Sequence, residues 1–208
     1  MPVVSARSDL DVYDIAFLAG GPVRVIETAL VVLVESGRVQ IHAPGELATA
    51  DPTRRHPVEG AVLDAVGDKG HRSVDTIHWR LEGDERLTGL AGPLTAAGLL
   101  RRRLRPGHAA WTPTHAGQRT LVGLAAHPPA DRALDGGSAL AVALHGRGGM
   151  ADRRLCSEIF ERSVTTLGPP GHRRSHDIDH SDPRLAAYRT GGAAAAAGAF
   201  LKRNGSGV

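Results

Sequence analysis

The sequence predicts a mainly α fold: a compact helical domain with small winged-helix-like β-hairpins and a flexible C-terminal tail. Three observations predict it. Apolar residues recur at helical spacing between glycine and proline breaks, as at Val58, Val62, Leu63 and Val66. Aromatic residues make up only 3% of the chain, so the core has to be built from Ala, Val and Leu, which suits closely approaching helices. From Gly168 onward the chain turns to Pro169-Pro170-Gly171, a polar His/Arg/Asp segment and an alanine run, a composition that buries little.

Each element has a local cause. Asp9, Asp11 and Asp14 suit the positive pole of a first helix, which runs into Gly20-Gly21, where no side chain opposes a left-handed turn. Pro22 then opens a second helix through Ser36, because its ring presets φ and its missing N–H falls where none is needed. Gly37 stands in the position of a C-terminal cap, and Arg38 to Ala43 reads as a strand. Pro44-Gly45 is a turn and Glu46 to Ala50 a returning strand. Pro57 and Gly67 bracket another helix, and Gly67 to Gly70 is a loop. Val74 to Leu81 is read as helical, and Asp84 to Leu104 as a second helical region interrupted by Gly89 to Pro93. Within it, Leu94 to Leu104 reads as a helix ending in a basic run. A short strand, His108 to Trp111, and a helix from Thr114 to Ala125 capped by Thr112 or Thr114 follow. Beyond the connector from His127 to Gly137, two short helices are expected at Ala139 to Leu144 and Asp152 to Ser163. The order helix, strand pair, Pro-led helix occurs at Val23 to Val66 and again at Leu94 to Ala125, which hints at a repeat. The expected organisation is a helical domain over residues 1–163, divisible into halves 9–67 and 84–126 plus a helical pair 137–163, and a tail over 164–208. Ala193 to Lys202 could form a marginal helix within that tail.

The formal net charge of +3 is unevenly spread. Residues 1–85 hold 8 basic and 14 acidic side chains, residues 86–163 hold 11 and 5, and residues 164–208 hold 6 and 3. The halves of the body are electrostatically opposite, which either helps them pack or leaves one basic face for an anionic partner. The single cysteine, Cys156, excludes an intramolecular disulfide, and the chain opens without a signal-like segment. A cytoplasmic setting, with room for a peripheral place at the membrane, is the expectation. The uninterrupted apolar runs, Ala29 to Val34 and Gly191 to Leu201, are shorter than the roughly 20 residues that cross a bilayer, so no transmembrane segment is expected.

Candidate chemistry is sparse. Arg101, Arg102, Arg103 and Arg105 form the densest basic cluster of the body. On a helix they would spread around the axis as a solvated end; as a contact they would meet phosphate or anionic lipid, helped by Arg119 and by Trp111 as an interfacial anchor. His172, His176 and His180 are spaced by four and accompanied by Asp177, Asp179 and Asp182, a donor set for a divalent metal, although nothing apolar anchors the segment. Arg153 and Arg154 beside Cys156 could lower a thiol pKa, but no base accompanies it, and a half-buried structural role is favoured. His56 with Glu59, Asp75 with His78, and Asp11 with Tyr13 are local pairs that form no hydrolase or transferase arrangement. No cofactor and no catalytic residue are expected. A winged-helix regulator would use Pro22 to Ser36 as its recognition helix, yet that helix offers Arg24 and is otherwise mostly apolar, which weighs against a nucleic-acid partner.

Tyr13-Asp14-Ile15-Ala16-Phe17-Leu18-Ala19-Gly20-Gly21-Pro22, Arg24, Thr28-Ala29-Leu30, Leu33-Val34 and Gly37-Arg38-Val39 resemble an uncharacterised domain family of high-GC bacteria. His56-Pro57, Glu59 and Ala141-Val142-Ala143-Leu144-His145-Gly146 look like its later landmarks, so the resemblance covers about residues 9–163. Many members continue into transmembrane segments and a glycine-rich tail and are named membrane proteins. This chain departs from them there, and membrane residence does not carry over. The resemblance implies no activity, cofactor or catalytic residue. A more remote likeness is to the Golgi-phosphoprotein-3-like fold, a helical domain with a peripheral hairpin that recognises phosphoinositide or anionic membrane surfaces. It lies in Ala29 to Arg38, Asp51-Pro52-Thr53 leading to Leu63-Asp64, and Leu94 to Leu104. The function expected is a non-enzymatic module that contacts an unknown protein or an anionic membrane surface.

Overall fold

In the computed structural model, which describes residues 10–105, 108–128 and 138–161, the longest element is α1, Val12–Glu35. Asp11 caps it: its carboxylate accepts from the Asp14 N–H at 2.7 Å, and the Asp14 carboxylate accepts from the Asp11 N–H at 3.2 Å, a reciprocal box that satisfies two N–H groups. The expected joint is present as a kink. Gly21 has φ 68° and ψ −161°, a region open almost solely to glycine, and Pro22 starts the second half. Ile15, Phe17 and Leu18 before the kink, and Val25, Leu30 and Leu33 after it, are fully buried, so both halves face one core. By length and composition α1 also meets the requirement for a membrane-crossing helix; no single apolar run shows this, because Gly20, Gly21, Pro22 and Arg24 divide it.

Strands β1 (Val39–Ala43) and β2 (Glu46–Thr49) form the expected antiparallel hairpin, with a register shift between Ile41 and Ala43. Helix α2 (Pro57–Val66) follows, opened by the His56 ring nitrogen accepting from the Val58 N–H at 3.2 Å and closed at Gly67, φ 86°. A third strand, β3 (Arg72–Ser73), pairs antiparallel with β2, a two-residue element with too little pattern to be expected from sequence. Helices α3 (Val74–Arg80), α4 (Glu85–Thr88) and α5 (Ala91–Ala96) continue the chain.

The expected helix from Leu94 to Leu104 is overturned. It stops at Ala96, Gly98 takes φ 69°, and Leu100–Arg105 is strand β4, paired in register with β5 (His108–Pro113). Leu, Ala and Arg all favour helix locally, but pairing with 108–113 supplies hydrogen bonds that the glycine-terminated helix cannot. Helix α6 (His115–Ala126) begins at Thr114, whose hydroxyl accepts from the Gly117 N–H at 3.1 Å. Thr114→Ala is expected to cost about 1 kcal/mol, the usual value of such a cap, read as a lower midpoint in urea unfolding. Helix–hairpin–helix thus occurs twice, as α1, β1–β2, α2 and as α5, β4–β5, α6.

Helix α7 (Ser138–His145) packs against α1. The Arg24 guanidinium caps its far end, donating to the Val142 and Ala143 carbonyls at 3.2 and 3.4 Å, where cations suit the helix dipole. Gly146, φ 75°, makes room for it, since a Cβ there would lie 2.9 Å from the Arg24 guanidinium carbon. Helix α8 (Arg153–Phe160) closes the described chain, and its Glu158 carbonyl accepts from the Gly45 N–H in the β1–β2 turn at 2.9 Å. The expected tail over 164–208, with its alanine helix, lies outside the described residues.

Candidate functional site: the β4–β5 hairpin

The four arginines of the basic cluster lie on a strand, which changes what they can do. Around a helix they would diverge. On β4 they alternate: positions 101, 103 and 105 belong to one face of the ladder and position 102 to the other, with successive same-face positions about 7 Å apart. Arg101, Arg102 and Arg103 are exposed, and among the described residues no carboxylate pairs with them. Arg24, Arg38, Arg54, Arg86, Arg147 and Arg154 all have such partners. Arg102 stands opposite Trp111 in the ladder, and its guanidinium carbon is 6.0 Å from the indole centroid, at the outer limit of a cation–π contact. Trp111 is half-buried and packs on the core, so it supports the hairpin more than it projects from it. Arg105 pairs in the ladder with His108 at the tip end.

Arg119 is exposed on α6, which leaves β5 through Thr114. Val122, three residues on and so on the same helix face, is 70% exposed. A cationic and an apolar side chain side by side is the pairing that an interface between water and lipid accepts. Trp79 on α3 is also exposed.

The local pairs Asp11 with Tyr13 and His56 with Glu59 converge in space, in a different pairing. The Glu59 carboxylate, on α2, accepts from both Arg38 terminal nitrogens, from the Tyr13 hydroxyl at 3.0 Å and from the Arg55 N–H at 3.1 Å. Arg38 also donates to the Ser36 hydroxyl at 2.9 Å and the Thr53 carbonyl at 3.2 Å. His56 stacks on Tyr13, centroids 4.6 Å apart, and its Nε2 lies 3.3 Å from Asp11. Arg38 and Glu59 are 2% and 5% exposed, so this is a buried ion pair. Burial raises the Glu59 pKa, but the hydrogen bonds from Arg38 and Tyr13 outweigh it and hold the carboxyl below its ordinary value. Burial, then the Glu59 charge, pushes the Tyr13 hydroxyl far above its usual range. Every acceptor position of Glu59 is used, so the cluster joins α1, β1 and α2 and has no carboxylate oxygen left for a substrate proton.

Cys156 is half-buried, with its thiol directed at the Arg147 carbonyl, 3.5 Å away. Burial pushes the thiol pKa up despite Arg153 and Arg147, the reverse of the activation that its arginine neighbours suggest. Asp75 and His78 make no direct pair; burial, then the Arg147 charge, lowers the His78 pKa. The tail histidines His172, His176 and His180 lie outside the described residues. No family model matches this chain, and neither does a curated protein or a solved structure.

Proposed function

We propose that the domain is a non-enzymatic module that docks peripherally on an anionic membrane surface, on the cytoplasmic side, through β4–β5 and α6. The observation that carries this reading is the run of three exposed arginines, Arg101 to Arg103, without a carboxylate partner among the described residues. Elsewhere among the described residues six arginines are held in ion pairs, whereas these three are adjacent, exposed and available for phosphate, which the guanidinium fork matches in geometry. Arg119 and Val122 extend the same chemistry onto α6, and the surplus of basic residues over 86–163 supplies attraction at longer range. The groove-reading alternative loses support because Val25 to Val31 and Leu33 are buried and Arg24 is occupied at the end of α7.

Co-sedimentation with liposomes of phosphatidylserine and phosphatidylcholine, against phosphatidylcholine alone, tests the proposal. Arg101 and Arg103 share one face of β4 and Arg102 takes the other, so two side chains count at about 1 kcal/mol each and R101A/R102A/R103A is expected to lower partitioning by about thirtyfold. Binding should also weaken as salt shortens the Debye length. Equal pelleting with neutral vesicles, or an unchanged triple variant, would overturn the reading in favour of a protein partner.

A further inference from the structure

We infer that His42, Glu46 and His71 form a binding site for a divalent transition metal of the zinc class, apart from the basic hairpin. Their candidate ligand atoms all lie within 4.8 Å of one another. His71 Nε2 is 3.2 Å from Glu46 Oε2, close to the edge of about 3.3 Å that a tetrahedron with Zn–N and Zn–O bonds of about 2.0 Å requires. The two imidazoles are stacked, centroids 4.2 Å apart at 11°. Near-parallel rings aim their nitrogens in separate planes, so one imidazole has to turn out of the stack to bring the set around one ion.

The backbone places these side chains together by three separate devices. The register shift between Ile41 and Ala43 takes His42 out of the ladder, the usual effect of a bulge that re-aims a side chain. The Pro44-Gly45 turn, with Gly45 at φ 73°, returns the chain so that Glu46 faces Ala43. The β2–β3 pairing sets Glu46 opposite Ser73, which brings His71 alongside from a point 25 positions later. The Gly45 N–H and C=O are both tied, to Glu158 and Val74, so the turn is held on two sides.

Two imidazole nitrogens and one carboxylate oxygen suit zinc by donor type and tetrahedral geometry, with copper above it and cobalt below nickel in the usual order of raw affinity, and suit magnesium or calcium poorly, since these take oxygen donors. Three protein ligands leave one tetrahedral position, and because His42 and His71 are exposed, water fills it. The ion would staple the β1–β2 turn to the segment before β3, closing the small sheet at its tip.

Isothermal titration with zinc chloride on the tag-free full chain tests this, with cobalt absorption as a second readout. H172A/H176A/H180A is used as the background, so that ligands in the remaining C-terminal segment do not contribute. One equivalent of metal is expected in that background, with a tetrahedral cobalt spectrum and a metal-dependent rise in Tm. H42A, H71A and E46Q should each lower affinity by more than about tenfold, since even groups that only support a ligand are worth roughly 10- to 100-fold. As His42 and His71 are exposed, their variants should unfold at the Tm of the metal-free parent, which keeps loss of binding distinct from loss of fold. No binding in the background protein, or binding unchanged in H42A/H71A, would overturn the site.

Discussion

Glu59→Ala is expected to destabilise the domain by about 3–5 kcal/mol, the range for removing one partner of a buried ion pair. Arg38 is 2% exposed and would be left with the Ser36 hydroxyl and the Thr53 carbonyl as its remaining side-chain partners. The Tyr13 hydroxyl would lose its acceptor in the same step. Urea unfolding followed by circular dichroism measures the change as a shift in midpoint. The double variant R38M/E59L separates loss of an attraction from exposure of an unpaired charge. Replacing both partners by apolar groups of similar volume removes two desolvation costs together, so it is expected to recover part of the stability lost in Glu59→Ala, the rest remaining with the Tyr13 hydroxyl and the Arg55 N–H, which stay without their acceptor. A double variant as unstable as the single one would mean that the unpaired Arg38 charge is not the main cost of Glu59→Ala.

The same network sets a pH dependence of definite sign. Glu59 has its folded pKa held below the ordinary carboxyl value of 4.5, so on acidification the unfolded chain takes up this proton first. The stabilisation is therefore complete above about pH 4.5 and is lost as pH falls toward the depressed folded value. At the alkaline end Tyr13 has its folded pKa raised above 10.0, so the unfolded chain releases this proton first and stability declines as pH rises past that point. R38M/E59L should flatten the acid limb of a stability profile and leave the fold intact at neutral pH.

The features legible in the sequence are those determined within a few residues. Gly21, Gly37 and Gly67 take positive φ at the joints where they are expected, and Pro57 opens α2, because glycine and proline act through their own backbone. Leu94 to Leu104 misleads for the complementary reason: its residues favour helix, and the deciding partner, β5, lies beyond a turn. The basic cluster is legible as charge, but its alternation on a strand is not. Arg38 and Glu59 are 21 positions apart, and nothing in their local spacing marks two charged residues as partners in the core. His42, Glu46 and His71 are joined by β2–β3 pairing and a bulge, so no short ligand motif announces them.

Gly117→Ala is expected to cost about 2 kcal/mol, within the range for overpacking, and to disturb the basic hairpin as well. In an isolated helix this change would help by about 1 kcal/mol, since alanine is the better helix former. Here a Cβ would stand 2.2 Å from the Leu99 carbonyl oxygen and 3.1 Å from Leu18 Cδ1. The nearer neighbour is backbone and cannot rotate away, so the clash belongs at the upper end of the roughly 1–3 kcal/mol range for overpacking and outweighs the propensity gain. The Leu99 carbonyl already accepts from the Thr114 N–H at 2.9 Å, so the start of α6 is clamped to the entrance of β4 at this point. Relief requires α6 to move away from Leu99, carrying the Thr114 cap and the end of β5 with it. Thermal unfolding measures the first effect. The second is read in liposome partitioning, which should fall although every arginine is retained, because Arg119 on α6 would shift relative to Arg101 and Arg103 on β4. A Gly117→Ala protein with raised Tm would show that the gain in helix propensity exceeds the steric cost at Leu99, and the close approach there would then have no energetic weight.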